Sequence, residues 1–543
     1  MRKLLFLTAV IIPALIACTG NRDLRHALGT INEGDLRRIT REIGSDSMMG
    51  RAPFTGGEEA AVKYLSGELA KIGFKPAFSG SYYQEVPLIR ITSHVEGDAS
   101  FDVNGKALKM TAPDDIAIVS TEQKALTDIE NMPLVFCGFG IVAPEYNWND
   151  YKNADVKGKC AVVLVNDPGL YTGDTSLFRG RTMTYYGRWT YKYEEAARQG
   201  AAAVLIVHET KGAGYDFSIQ RNSSIAPKFY MQSDGGSGQC ILTGWINDAP
   251  AAKLFAMLGQ NIDSLRMKAC KRGFAGFDMK TRLKVKITNT ILTDKSRNVA
   301  GILPGSKKPE EAIVISAHWD HFGIGEKVNG DSIYNGTVDN GTSIAWALEM
   351  GKAFSSLKNR PARSVIILFP TCEEEGLLGS TYFIRHSPVK TSAIAAAFNN
   401  DMMLPEGRMK DMMITGYGQS DLEDILAEVV KRQDRYIQPD PTPETGMYFR
   451  SDHFPFAQAG IPALFARGNC DSREHGKEWA AAKEKEYLKN CYHKPADNYN
   501  ESMDFSGIRE DAQAIFEVAR EVADGDVSPQ WKKGSEFASV RKK

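Results

Sequence analysis

Several kinds of protein are excluded by what this chain lacks. Among 543 residues there are eight cysteines and no Cys-x-x-Cys pair. That spacing argues against thiolate zinc knots and dithiol redox motifs. Basic and acidic residues balance to a net charge of −1, which leaves no electrostatic footprint for nucleic acid. After residue 16 no apolar run is long enough to span a bilayer. There is no internal repeat and no low-complexity tract. Histidine is scarce too, with nine in all, so the positions of those few carry weight.

What is present is ordinary for a folded protein: 43% hydrophobic and 24% charged residues. The length exceeds a single compact core and implies two or three domains. Arg2 and Lys3 precede an apolar stretch, Leu4 to Ile16, of signal-peptide length. It ends in Leu15-Ile16-Ala17-Cys18, which resembles a bacterial lipobox and predicts an exported chain, periplasmic or at the cell surface, tethered by a lipid on Cys18. A plain secretory signal cut nearby is the other reading. In an oxidising compartment Cys470 and Cys491 are the favoured pair, since both flank the late loop that ends in His493, and Cys372 is expected as a free thiol.

Residues 19–32 read as a tether, followed by helices over 32–43 and 57–72 and a strand over 83–91. Residues 128–285 form a β-rich segment with Gly-rich connections and no cluster of ligands, read as an insertion. From Arg297 on, apolar strands (298–303, 312–317, 364–370, 393–399, 412–415) alternate with amphipathic helices (340–357, 379–385, 421–432, 507–523). That alternation predicts an α/β fold, a mostly parallel mixed sheet with helices on both faces. The expected division is a signal over 1–18, a catalytic domain split into 19–127 and 286–525 by the insertion 128–285, and a loose basic tail over 526–543.

The chemistry lies in the second half. His318-Trp-Asp320-His321, Asp339-Asn-Gly, Glu373-Glu374-Glu375-Gly, Asp401 and His493 form an ordered series of imidazoles and carboxylates. His318, Glu373 and Glu374, and Asp401 each follow a predicted strand, and open α/β sheets gather their ligands at the carboxyl ends of strands. The donor types suit zinc or a similar divalent cation. Asp339 is the natural bridge, because one carboxylate can hold two cations roughly 4 Å apart. His318 and Asp401 then complete one shell, and Glu374 and His493 the other. Glu373, adjacent to a ligand, is placed to take a proton from a water that the cations acidify. Asp320 is placed to accept a hydrogen bond from the second ring nitrogen of His318. With five ligands filling both shells, His321 and His453 are read as residues that support a ligand from behind or pack beside it. Each element alone has a duller explanation, such as a helix cap at Asp339 or a solvated acidic helix start at 373–375; all five in one order is harder to dismiss.

The stretches Ala317-His318-Trp-Asp320-His321, Val338-Asp339-Asn-Gly-Thr, Glu373-Glu374-Glu-Gly-Leu-Leu-Gly-Ser380, Asn400-Asp401-Met, Ser451-Asp452-His453-Phe-Pro-Phe and Tyr492-His493-Lys-Pro-Ala-Asp497 resemble the two-zinc aminopeptidase family that includes glutamate carboxypeptidase and the inactive transferrin receptor. The resemblance implies two zinc ions on His318, Asp339, Glu374, Asp401 and His493, Glu373 as general base, and peptide substrates. It implies that Tyr448 donates a hydrogen bond to the tetrahedral oxyanion. It also implies that the insertion, whose best matching stretch is 193–207, is a protease-associated domain, and that 49–53 opens the catalytic domain. The leading expectation is an exported metallo-aminopeptidase. A single-zinc glutaminyl cyclase-like enzyme and a binding protein with a dead core are the alternatives.

Overall fold

The computed structural model describes residues 22–232, 238–525 and 527–541. Cys18 and the signal-like segment lie outside the described residues. The chain forms two compact units. One comprises the chain up to Val86, Lys295–Pro441 and the chain from Arg450; the other comprises Pro87–Asp294 with Thr442–Phe449.

The first unit is built on a mixed sheet. Strand Lys308–Ser316 pairs in parallel with both Arg363–Phe369 and Ile394–Asn399, and Ile394–Asn399 pairs in parallel with Ala463–Arg467. Residues 299–303 add an antiparallel neighbour to Arg363–Phe369. On the other side Asp411–Ile414 runs antiparallel to Ala463–Arg467 and parallel to Tyr436–Pro439. The central strands Arg363–Phe369 and Ile394–Asn399 are buried at every residue, as two-sided covering requires.

The two-residue strand period sorts the core. Ile313, Ile315, Val365, Ile367 and Phe369 face a cluster supplied by helices Glu33–Ile43, Gly56–Lys71, Ser343–Ser356, Leu422–Lys431 and Ser506–Ala523. Val314, Ile366 and Leu368 face the opposite cluster with Phe383 and Phe456, from helices Leu378–Arg385 and His453–Gln458. This is the expected three-layer α/β/α arrangement.

Two terminal segments differ from the reading of the sequence. Residues 22–30 are helical, not a tether. Ala27 is fully buried, and the Asp23 carboxylate accepts the N–H groups of Lys358 and Asn359 at 3.0 and 3.3 Å. The late segment is docked, not loose: the Trp531 Nε1 donates to the Gly460 carbonyl at 2.9 Å, Lys532 pairs with Asp424 at 2.8 Å, and Phe537 is buried. In both cases one or two apolar side chains in a polar context anchor the segment. Cys470 and Cys491 are both free thiols, and so is Cys372.

The second unit has parallel strands Cys160–Leu164, Ala203–Val207 and Leu242–Ile246, with Ile116–Ser120 antiparallel to the last. Helix Trp189–Arg198 leads into Ala203–Val207. The unit extends upstream of residue 128 because the hairpin Asp98–Val103/Lys106–Thr111 pairs with residues 281–284. Asn104 and Gly105 supply the left-handed residues of its turn. Among the described residues, no helix is long and apolar enough to cross a membrane.

Candidate metal centre

Four connecting segments of the first unit deliver the side chains. The strand Lys308–Ser316 ends two residues before His318, Arg363–Phe369 leads to Glu373 and Glu374, and Ile394–Asn399 leads to Asp401. Asp339 lies in the π-type turn Thr337–Thr342 that precedes helix Ser343–Ser356, with φ −106° and ψ 90°. His493 follows helix Gly476–Asn490 and has a left-handed backbone, φ 56°.

The five expected ligands converge. His318 is fully buried, and its Nε2 lies 3.3 Å from Asp339 Oδ1, 3.4 Å from Asp401 Oδ1 and 3.8 Å from Glu373 Oε2. His493 Nε2 lies 3.3 Å from Asp339 Oδ2 and 3.2 Å from Glu374 Oε2. The two oxygens of Asp339 therefore face different imidazoles, the disposition a bridging carboxylate needs. Three groups of side chains are close enough to hold a cation: His318 with Asp339 and Asp401, His318 with Glu373 and Glu374, and His321 with Asp339 and Glu374. Among the described residues, all such groups lie in the first unit.

One sequence-predicted partner stands differently from expectation. The Asp320 carboxylate does not take the His318 ring: its Oδ1 is 3.9 Å from Nδ1, and Nδ1 instead faces the Asp320 backbone carbonyl at 3.1 Å. The side chain turns toward the neighbouring loop, where it accepts the N–H of Glu373 at 3.0 Å and of Glu374 at 3.4 Å. Asp320 thus orients the general base candidate and a ligand through their backbone. His321, read as supporting a ligand or packing, takes the first of these places, with Nδ1 2.6 Å from Glu374 Oε1. Glu374 is held between two imidazoles, one per oxygen. Its place in His-Trp-Asp-His was the only available signal, and spacing alone does not tell which histidine faces which acid. Tyr448 belongs to the second compact unit, with Thr442–Phe449, where its ring packs edge-on against Phe449. His453 is buried, its ring 5.0 Å from that of Phe465.

A further carboxylate, Asp497, holds the bridge in place. It accepts the N–H of Val338 at 3.1 Å and of Asp339 at 3.1 Å, and the Tyr487 hydroxyl at 3.1 Å. Asn in its place would turn an amide N–H₂ toward at least one of these donors. Asp497→Asn is expected to weaken metal binding about 10- to 100-fold with the fold intact, as chelator competition and circular dichroism would show.

Charge explains why cations fit. Asp320, Asp339 and Glu373 are buried beside the half-buried Glu374, an arrangement that is costly without positive charge nearby. Burial pushes the Glu373 carboxyl well above the usual range, with the carboxylates of Asp401 and Glu374 adding to the rise and His318 opposing it. Burial also works against ionised Glu374, yet His493 and His321 hold it down at about 2. Asp339 is likewise held low by His318 and His493 against its burial. For the imidazoles burial disfavours charge, but Glu373 and Asp401 raise His318, and Glu374 and Asp339 raise His493. His493 Nε2 is buried and without hydrogen-bond geometry to either acid.

A sign follows. Without metal, both raised imidazoles hold protons at neutral pH, and a cation must displace them. Zinc added to the metal-free protein is expected to release protons, and affinity to rise as pH rises. Titration calorimetry in buffers of different ionisation heat measures this; a heat independent of buffer would contradict it.

Residues 298–519 match the model of peptidase family M28. Carboxypeptidase Q of Xenopus laevis is 24% identical over 57% of this chain and 55% of its own length. An aminopeptidase of Pseudomonas aeruginosa is 26% identical over 41% of this chain and 42% of its own. The chain thus spans about half the length of these curated relatives. Among solved structures, an aminopeptidase from Aneurinibacillus sp. strain AM-1 aligns over 92% of this chain and 96% of its own, at 18% identity and a TM-score of 0.49. The matched segment, which resembles peptidase family M28, contains His318, Asp339, Glu373, Glu374, Asp401 and His493.

Proposed function

We propose that this chain is a metal-dependent exopeptidase, an aminopeptidase that removes N-terminal residues from peptides. The observation that carries it is the placement of Asp339 between His318 and His493, with Glu373 at the same centre. His318, Asp339 and Asp401 would hold one divalent cation, and Asp339, Glu374 and His493 a second, zinc by donor type. Bound there, the cations would supply Lewis acidity at the scissile carbonyl and lower the pKa of water. Glu373 takes a proton from the attacking water as its oxygen bonds to the carbonyl carbon. It returns that proton to the departing nitrogen as the C–N bond breaks. Asp320 keeps Glu373 and Glu374 oriented through their backbone N–H groups, and His321 fixes one Glu374 oxygen so that the other faces His493.

The unit of residues 87–294 is read as the protease-associated insertion, on the strength of helix Trp189–Arg198 running into Ala203–Val207 between two parallel neighbours. The chain is read as exported and lipid-anchored at Cys18, on its first eighteen residues.

Digestion of a peptide library by zinc-loaded protein, followed by mass spectrometry, tests the activity. Successive loss of N-terminal residues is the expected result. Shortening from the carboxyl end would make it a carboxypeptidase. Cyclised N-terminal glutamine with about one zinc per chain would favour a cyclase, and no product from any peptide would end the proposal.

A further inference from the structure

Arg51 lies some 270 positions before the ligands it serves and was not among the candidate site residues. It is fully buried. Its backbone is left-handed, φ 53°, next to Gly50, where a side chain would strike the Gly323 and Tyr334 carbonyls. Among the described residues the guanidinium has no carboxylate within ion-pair distance. All its hydrogen bonds go to backbone carbonyls: Nε donates to Trp319 at 2.7 Å, Nη1 to Ile43 at 2.7 Å and to Asn335, and Nη2 to Gly336 at 2.9 Å. Its own carbonyl accepts the N–H of His321 at 3.3 Å.

These acceptors are not scattered. Trp319 sits between His318 and Asp320, and Asn335 and Gly336 open the turn that carries Asp339. Gly336 has no room for a side chain, since a Cβ would meet the Asp339 carbonyl and the His321 ring. One planar cation therefore ties together two ligand-bearing loops and the end of helix Glu33–Ile43. Burial lowers the Arg51 pKa to about 10, with Asp497, Asp339, Asp320 and Glu374 opposing the fall, so it stays charged at neutral pH. A lysine has the same charge but one donor point, which cannot reach three directions.

We infer that Arg51 is a positioning residue that fixes the His318–His321 and Asn335–Asp339 loops in ligand geometry before any cation binds. This rests on the two-cation reading of the centre. It also has a cost that separates geometry from charge: a fixed cation near two dications repels them. If charge were its role, removing it would tighten metal binding. If the fork is its role, Arg51→Lys, with the charge kept, loosens it.

The test measures zinc affinity of the full chain by chelator competition, for wild type, Arg51→Lys and Arg51→Gln, with circular dichroism and melting curves as controls on folding. The expected result is a loss of about 10- to 100-fold in both variants, with a natively folded spectrum. Affinity in Arg51→Lys equal to wild type, or tighter binding in Arg51→Gln, overturns the inference. If both variants fail to fold, hydrogen exchange on metal-free wild type decides. Slow exchange at the His321 amide, which donates to the Arg51 carbonyl, supports preset loops; fast exchange there that slows only on zinc addition overturns them. A wild type that binds no zinc would sink the peptidase reading instead, and the exchange measurement would still judge the hold of Arg51 on the loops.

Discussion

Glu373→Gln is expected to lower kcat for peptide hydrolysis about 10³-fold while zinc content stays at the wild-type level. The substitution keeps size and the backbone N–H that donates to Asp320 at 3.0 Å, so the ligand Glu374 beside it is not displaced. What is lost is the ability to accept a proton at the centre. His318 cannot substitute, because its Nε2 is directed at Asp339 and Asp401. Removing one buried carboxylate also relieves like-charge repulsion with Asp401 and Glu374, so melting temperature should hold or rise slightly. Steady-state kinetics, metal analysis and a melting curve on one preparation check all three. Near-normal kcat in Glu373→Gln would assign the proton transfer elsewhere.

Asp339→Ala is expected to lose both cations together, with zinc affinity down at least about 100-fold and hydrolysis below detection. The reason is geometric: its two oxygens lie 3.3 Å from His318 Nε2 and 3.3 Å from His493 Nε2. Among the described residues, no other carboxylate lies within 4.0 Å of both these imidazoles. Asp401→Ala, which touches only the His318 side, is expected to retain about one zinc per chain. A variant at Asp339 that still held two ions would refute the bridging role. The stabilisation that zinc confers on wild type by binding the folded state alone should vanish in Asp339→Ala and shrink in Asp401→Ala.

The strand-end positions of His318, Glu373, Glu374 and Asp401 were legible in the sequence, because a fully apolar run followed by a polar residue marks both the strand and its exit. The α/β/α arrangement followed from the same runs. Contacts between distant segments were not legible. Nothing near residue 51 indicates that its side chain ends among carbonyls of 319, 335 and 336, and nothing in His-Trp-Asp-His tells which imidazole meets Glu374. Asp320 illustrates a subtler gap: residue type and spacing suggested a ring partner, whereas the side-chain rotamer chose the N–H groups of the next loop. The helix at 22–30 and the docked end near Trp531 were read as solvated because their apolar content is low, although a few buried side chains and carboxylate-to-backbone bonds suffice to anchor them.

His493 and Asp497 are synthesised after His318 and Asp339. Until they are, the bridging turn lacks its clamp and one of its two imidazoles. A chain that stopped short of residue 493 would lack one imidazole of the centre and the carboxylate that holds its bridging turn.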